Sequence, residues 1–172
     1  GVTGVERELT LLTSTFGHFY LSDMNDIGDV LGAVSEFDSS FNAWRPGGQI
    51  FRLQRGFPAP QIMFSTGFPI NNAYMNNAGQ VAYTDYRGAT TGSFSAYTHA
   101  FLWDSGQLTD LMPSSPASTV TDLLEDGRVL FFSVDGVPHS RLVYDHGTRY
   151  SLAALTTSGT IFHAMGEDGA LY

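Results

Sequence analysis

The sequence predicts an all-β repeat fold, either a β-propeller or a propeller-like array of four-stranded antiparallel blades. The first observation is a short turn motif that occurs four times, with glycines spaced by 51, 48 and 42 residues. The second is another hairpin motif that alternates with the first. Two hairpins give four strands in a unit of about 48 residues, which is the size of a propeller blade.

The turn motif reads apolar, any residue, Asp, Asn or Glu, any residue, Gly, any residue, and then Val or Leu. Its copies occupy residues 24–30, 75–81, 123–129 and 165–171. An acidic or amide residue followed shortly by glycine favours a tight hairpin turn, because glycine adopts positive φ without a Cβ clash. Each copy is therefore expected to join two antiparallel strands.

The second motif occupies residues 41–53 and 99–111, with a weaker copy at 140–152. Its apolar and aromatic residues alternate with a period of two, which is the period of a strand and not of a helix. In the first copy we expect the hairpin turn at Gly47 and Gly48. The alignment also gives Trp44, Trp103 and Tyr144 one shared repeat position, at which a large side chain fills the gap between neighbouring sheets.

The chain is predicted to be a single β-repeat domain over residues 1–172. Its parts are a partial unit at 1–12, whole units at 16–62, 66–116 and 117–155, and a second partial unit at 160–172. If residues 5–12 pair with residues 161–172, the two partial units form a composite blade and close a four-bladed ring. The alternative is that the chain is a fragment of a larger array.

Proline-containing segments at 56–60 and 113–116 are predicted to connect sheets, because proline cannot donate to a sheet ladder. The longest insertion runs from residue 85 to 98 and is rich in Gly, Ser, Thr and Tyr. Two tyrosines in this polar stretch, Tyr86 and Tyr97, are the candidate binding residues, since exposed aromatic rings can stack on sugars.

Composition excludes several classes of function. The net charge is −9 and lysine is absent, which disfavours nucleic-acid binding because phosphates would be repelled. There is no cysteine, and hence no disulfide, thiolate metal site or cysteine nucleophile. No apolar run is long enough for a membrane-spanning helix.

The motifs of chemistry are also missing. Asp23, Asp26 and Asp29 lack the spacing of a calcium loop, because Ile27 takes a ligand position, and turn formation is their expected role. The five histidines show no metal-binding spacing, and His99 is expected to pack or to form hydrogen bonds. Neither a serine-nucleophile motif nor a phosphate-binding loop is present. We therefore expect no cofactor, no metal site and no catalytic residue.

The sequence His-Ala-Phe-Leu-Trp at residues 99–103, together with the asparagine turn at 75–81, resembles the bacterial extracellular HAF repeat. The first unit shares the asparagine turn and Trp44 but has Asn42 and Ala43 in place of His-Ala. The third unit has Tyr144 for the tryptophan. His163 and Ala164 precede the fourth turn. The resemblance implies a β-repeat fold in a secreted or surface-attached bacterial protein and carries over no catalytic residue.

These observations favour a non-enzymatic extracellular or cell-surface domain with a structural or interaction role. Its partner would be a second copy of itself, another surface protein or a glycan. The first alternative is a lectin-like propeller that binds a glycan through its loop aromatics. The second alternative is a hydrolase or lyase with its site in the central channel.

Overall fold

The computed structural model describes residues 18–38, 43–57, 59–87, 98–115, 117–133 and 140–152. Within these ranges the chain forms twelve β-strands and no helix, which confirms the all-β prediction. No helix suited to crossing a bilayer therefore occurs in the described part of the chain. Both predicted partial units, 1–12 and 160–172, lie outside the described residues.

The strands form three four-stranded antiparallel sheets, each made of consecutive strands. In each sheet the spatial order of the strands, from one edge to the other, is their order in the chain. Sheet 1 contains β1 (His18–Met24), β2 (Val30–Asp38), β3 (Ala43–Leu53) and β4 (Gln61–Thr66). Sheet 2 contains β5 (Ile70–Met75), β6 (Val81–Tyr86), β7 (Thr98–Asp104) and β8 (Gln107–Asp110). Sheet 3 contains β9 (Ser118–Leu123), β10 (Val129–Ser133), β11 (Ser140–Asp145) and β12 (Thr148–Ser151).

The turn between the first two strands has one geometry in all three sheets. Gly28, Gly79 and Gly127 have φ values of +86°, +81° and +86°. Each of these glycines donates its N–H to the carbonyl three residues earlier, at 3.0 Å. This is a three-residue hairpin loop closed by a glycine in the left-handed region. The recurrence confirms that the sequence motif encodes a recurring turn.

The three turns are also joined to one another by hydrogen bonds. The Asn25 side chain donates to the Asn76 carbonyl at 3.3 Å, and the Asn76 side chain donates to the Leu124 carbonyl at 3.1 Å. One residue further along, the Asn77 backbone N–H donates to the Glu125 carboxylate at 2.8 Å. The motif therefore fixes the position of each sheet relative to the next, in addition to turning the chain.

The sheets pack face to face in chain order. Sheet 2 is covered by sheet 1 on one face and by sheet 3 on the other, since side chains alternate between faces along each strand. The core between sheets 1 and 2 contains the residues Leu31, Ala33, Ile50, Ile70, Ala73, Met75, Val81, Tyr83 and Phe101. The core between sheets 2 and 3 contains the residues Ala82, Ala100, Leu102, Leu111, Val120, Leu123, Val129, Phe131 and Leu142.

The prediction of a turn at Gly47 and Gly48 is wrong. Strand β3 runs through both glycines, and the connection to β4 follows Leu53. Gly47 has a positive φ of 104°, and its N–H donates to the Gly67 carbonyl. This geometry bends β3 locally and does not reverse the chain. Residues 56–60 consequently connect two strands of sheet 1 and do not connect two sheets. The connector around Pro113 does join sheet 2 to sheet 3.

The prediction that Trp44 shares a repeat position with Trp103 and Tyr144 is also wrong, because it assumed the same turn in β3. Trp103 pairs with Val81 and Tyr144 pairs with Val129, so these two aromatic residues are equivalent. The residue that pairs with the corresponding Val30 is Leu53, whereas Trp44 pairs with Phe37. The Trp103 ring stacks on Phe64 of sheet 1 at 5.1 Å, and Tyr144 packs on the core between sheets 2 and 3. The predicted gap-filling role is therefore confirmed for Trp103 and Tyr144.

Candidate functional site

The connections between strands lie at two opposite ends of the sheets, and these two ends differ in character. One end carries the recurring turns and the short hairpin connections that follow β3, β7 and β11. The other end carries the connections that follow β2, β4, β6, β8 and β10, including the long segment between β6 and β7. Long connections are where binding residues concentrate in repeat and sheet proteins, so this second end is the place to look for a site.

Tyr86 lies at this end, as the last residue of β6. Its hydroxyl donates to the Asn71 side chain at 2.7 Å, its backbone N–H bonds to the Pro69 carbonyl, and its ring is half-buried. Burial raises the pKa of the Tyr86 hydroxyl. The second candidate, Tyr97, lies outside the described residues. A sugar-binding role for this pair therefore stays a prediction.

A polar cluster that was not predicted from the sequence lies directly beside Tyr86. Asp85, on β6, faces sheet 1 on the same side of the strand as Val81 and Tyr83, and its side chain is 2% exposed. Its partner across the strands is His99, on β7. The Asp110 carboxylate, at the end of β8, lies 3.9 Å from His99 Nδ1. Three adjacent strands of sheet 2 thus bring a histidine and two acids together.

Arg87 covers this cluster from the solvent side. Its Nε lies 3.4 Å from Asp85 Oδ2, and its guanidinium carbon lies 4.1 Å above the Phe101 ring and 5.7 Å from the Phe68 ring. Contacts of a guanidinium with aromatic faces are attractive, typically by about 1 kcal/mol at partly exposed sites. Arg87 is itself partly exposed, so it closes the cluster without being buried in it.

Two atoms of the cluster are buried without a hydrogen-bond partner, Asp85 Oδ1 and His99 Nδ1. Burial raises the pKa of Asp85 to about 6, and the Asp110 charge adds to this rise, while the ion pair with Arg87 opposes it. Burial also raises the pKa of the adjacent Tyr83. Aspartate with a pKa close to neutrality is characteristic of binding and reaction sites.

The raised pKa predicts how stability depends on pH. Because the folded state holds the Asp85 proton more tightly than the unfolded chain, its contribution is present below about pH 4 and is lost as the pH rises through about 6. Asp85→Asn should abolish this loss and make the protein more stable than wild type at pH 7.5, by up to about 3 kcal/mol. Urea unfolding at pH 4 and pH 7.5 measures the difference. Asp26→Asn, which removes an exposed charge, is the control and should change the stability at either pH by no more than about 0.5 kcal/mol.

The acids singled out in the first turn have other partners. Asp23 accepts hydrogen bonds from the Met24 and Met75 backbone N–H groups, both at 2.8 Å, and thereby ties sheet 1 to sheet 2. Asp29 forms an ion pair with Arg52 and accepts the Arg55 N–H at 2.6 Å. Burial alone would raise the pKa of Asp29, but the hydrogen bonds from Arg55 and Arg52 and the Arg52 charge outweigh it and lower the pKa.

Among the residues that the structure describes, no three histidine, aspartate or glutamate side chains converge to hold a metal ion. Sequence reasoning missed the role of Asp85, although a signal was present. In β6 the alternation of Val81, Tyr83 and Asp85 places a carboxylate at an inward-facing position that is otherwise apolar. Comparison with known proteins adds no name to this site, since no family model and none of the curated proteins matches the chain.

Proposed function

We propose that the three sheets are consecutive blades of a propeller-type repeat array, and that the chain is a non-enzymatic structural module that self-associates. The order of strands supports the propeller arrangement. The first strand of each sheet (β1, β5 or β9) packs against a neighbouring sheet, while the fourth strand (β4, β8 or β12) forms the opposite edge of its sheet. The resemblance to HAF repeats supports a location outside the cell, in a secreted or surface-attached protein.

The two outer faces of the array are complementary in kind. Inside the array, the face of a sheet that carries Leu31 or Ala82 packs on the face of the next sheet that carries Val81 or Val129. In sheet 1 Val30 and Phe51 lie on the second type of face, on the side away from sheet 2, where Phe51 is buried and Val30 is half-buried. In sheet 3 Leu130 and Val143 lie on the first type of face, on the side away from sheet 2, where they are buried together with Leu124 and Leu152. A copy placed in line with sheet 1 would therefore meet its exposed apolar side chains along β1 and β4.

The observation that carries the proposal is the exposure of β1. Leu21 and Met24 are 52% and 66% exposed. By their pairing, Leu21 corresponds to Ala73 and Val120, and Met24 corresponds to Met75 and Leu123. All four counterparts are at most 8% exposed, because a preceding sheet covers them. Along β1, sheet 1 thus displays apolar side chains at positions that the same fold buries in sheets 2 and 3.

We propose that a second copy occupies this face with the side of its sheet 3 that points away from its sheet 2. The contact is then head to tail. Apolar surface of this kind is stabilised by burial at about 25 cal/mol per Å², and a contact that leads from one copy to the next extends into a chain unless the rotation closes. A third exposed side chain, Ile62 on β4, lies on the same face in the row Leu21, Gly32, Phe51, Ile62.

Sedimentation velocity over a wide range of concentration tests the proposal. Wild type should form oligomers whose fraction rises with concentration, and Leu21→Asp with Met24→Asp should weaken the association at least about tenfold, because two buried charges would oppose it. Leu108→Asp is the matched control: this leucine is 49% exposed but lies on β8, away from the face. A monodisperse monomer at about millimolar protein would reject self-association and favour closure of the ring by residues 160–172 of the same chain.

A further inference from the structure

The cluster under Arg87 contains two polar atoms whose burial is unexplained by the protein itself. Asp85 Oδ1 and His99 Nδ1 lack partners although the two residues oppose each other on paired strands. A buried polar group without a partner costs about 1–3 kcal/mol, and native proteins contain few of them. Nothing in the packing of sheet 2 requires this cost, since the corresponding positions of sheet 1 are Val34 and Gln49.

The atoms of the cluster define what would fit. Asp85 Oδ1 and Asp110 Oδ2 are acceptors, and His99 Nδ1 is an acceptor when the neutral ring carries its proton on Nε2. The two carboxylates are balanced by one guanidinium, so the cluster keeps one excess negative charge while His99 is neutral. A group with one positive charge and several N–H donors meets both requirements, whereas an anion meets neither.

We propose that Asp85, His99 and Asp110 form a binding site for a primary ammonium group, and that Arg87 is its displaceable cap. The ammonium would donate to Asp85 Oδ1, His99 Nδ1 and Asp110 Oδ2, and thus supply the partners that the buried atoms lack. This inference is separate from self-association, because the site and the face with Leu21 and Met24 lie on opposite sides of sheet 1.

Arg87 is suited to the role of a cap because its hold is weak. Its side chain is 38% exposed, and a single contact of 3.4 Å joins it to Asp85. The remaining attraction comes from the Phe101 and Phe68 rings, over which a long side chain can slide. A compact ammonium can therefore reach Asp85 Oδ1 once Arg87 shifts along the rings, while the guanidinium stays near the rim.

Titration with matched probes, followed by the amide signals of β6, β7 and β8 in NMR spectra, tests the proposal at pH 7.5. Glucosamine and ethanolamine should bind, whereas glucose, N-acetylglucosamine and ethylene glycol, which lack the ammonium, should not. Asp85→Asn should weaken glucosamine binding at least about tenfold, and Arg87→Ala should strengthen it severalfold, because the cap and its charge are removed. Asp85→Asn is expected to fold, since it removes a buried charge.

Asp104→Asn is the control for charge, because Asp104 is an exposed acid at the opposite end of sheet 2. It should leave glucosamine binding unchanged. Equal binding of glucose and glucosamine would overturn the proposal in favour of a hydroxyl site. An equal loss in Asp104→Asn would show non-specific attraction to an acidic chain, and no shift with either amine would overturn the proposal. None of these results bears on the sedimentation test.

Discussion

Replacing Gly32 with alanine should destabilise the protein by about 3 kcal/mol or more, as strong overpacking does. Gly32 pairs with Phe51 across β2 and β3, and the Phe51 ring lies over the glycine. An added Cβ would meet Phe51 Cζ at 2.1 Å and both Cε atoms within 2.8 Å. The ring is almost fully buried and cannot move without displacing its neighbours. Urea or thermal unfolding measures the loss.

Gly67→Ala is the matched control, since a Cβ there has nothing within 4 Å and its backbone is not in the left-handed region. Its stability should stay within about 0.5 kcal/mol of wild type. The clash can be isolated by combining Gly32→Ala with Phe51→Ala, because the glycine substitution should cost much less once the ring is gone. A loss at Gly32 that is unchanged in the Phe51→Ala background would contradict this account.

The second large effect is expected at Asn76, the central residue of the hydrogen bonds that join the turns. Its Oδ1 accepts the Gln80 N–H at 3.0 Å, and its Nδ2 donates to the Leu124 carbonyl at 3.1 Å and to the Gln80 side chain at 2.6 Å. Asn76→Ala should cost about 3 kcal/mol, because it leaves the Gln80 N–H and the Leu124 carbonyl short of partners in a buried place. Chemical unfolding measures the cost.

The third turn suggests how to rescue this variant. Leu124 occupies the position of Asn76 there, and the equivalent N–H of Arg128 bonds to Asp126 at 3.1 Å. Asp126 corresponds to Ala78, so Ala78→Asp should restore part of the stability of Asn76→Ala. Ala78 is exposed, and Ala78→Asp alone should change little. If the double variant is no more stable than Asn76→Ala, the lost hydrogen bond of the Gln80 N–H does not account for the destabilisation.

The two hairpins of each unit differ in how well the local sequence predicts them. The first hairpin was predicted correctly because its turn depends on local chemistry, namely a polar residue, a short loop and a glycine at positive φ. The second was predicted correctly for β7 with β8 and for β11 with β12. It failed in sheet 1, where Gly47 and Gly48 resemble a turn but lie within an eleven-residue strand. Pairing of β3 with both of its neighbours overrides the local signal there.

The candidate site shows the opposite balance. Tyr86 was chosen for the polarity of its loop, and the structure engages its hydroxyl with Asn71. Asp85, the adjacent residue, was not singled out, because an acid in a sequence carries no sign of burial or of what faces it. Its neighbours His99 and Asp110 are 14 and 25 residues away in the chain, and they meet it only because β6, β7 and β8 lie side by side.

Local patterns in the sequence were enough to predict that this protein is all-β, that it repeats with a period of about fifty residues, and where the recurring turns lie. Those features follow from side-chain alternation and from glycine's access to positive φ, which act within a few residues. Four features could not be predicted in this way: the register of β3, the hydrogen bonds from turn to turn, the burial of Asp85 and the exposure of Leu21 and Met24. Each of these depends on which sheet face meets which, and packing over long sequence separations sets that choice.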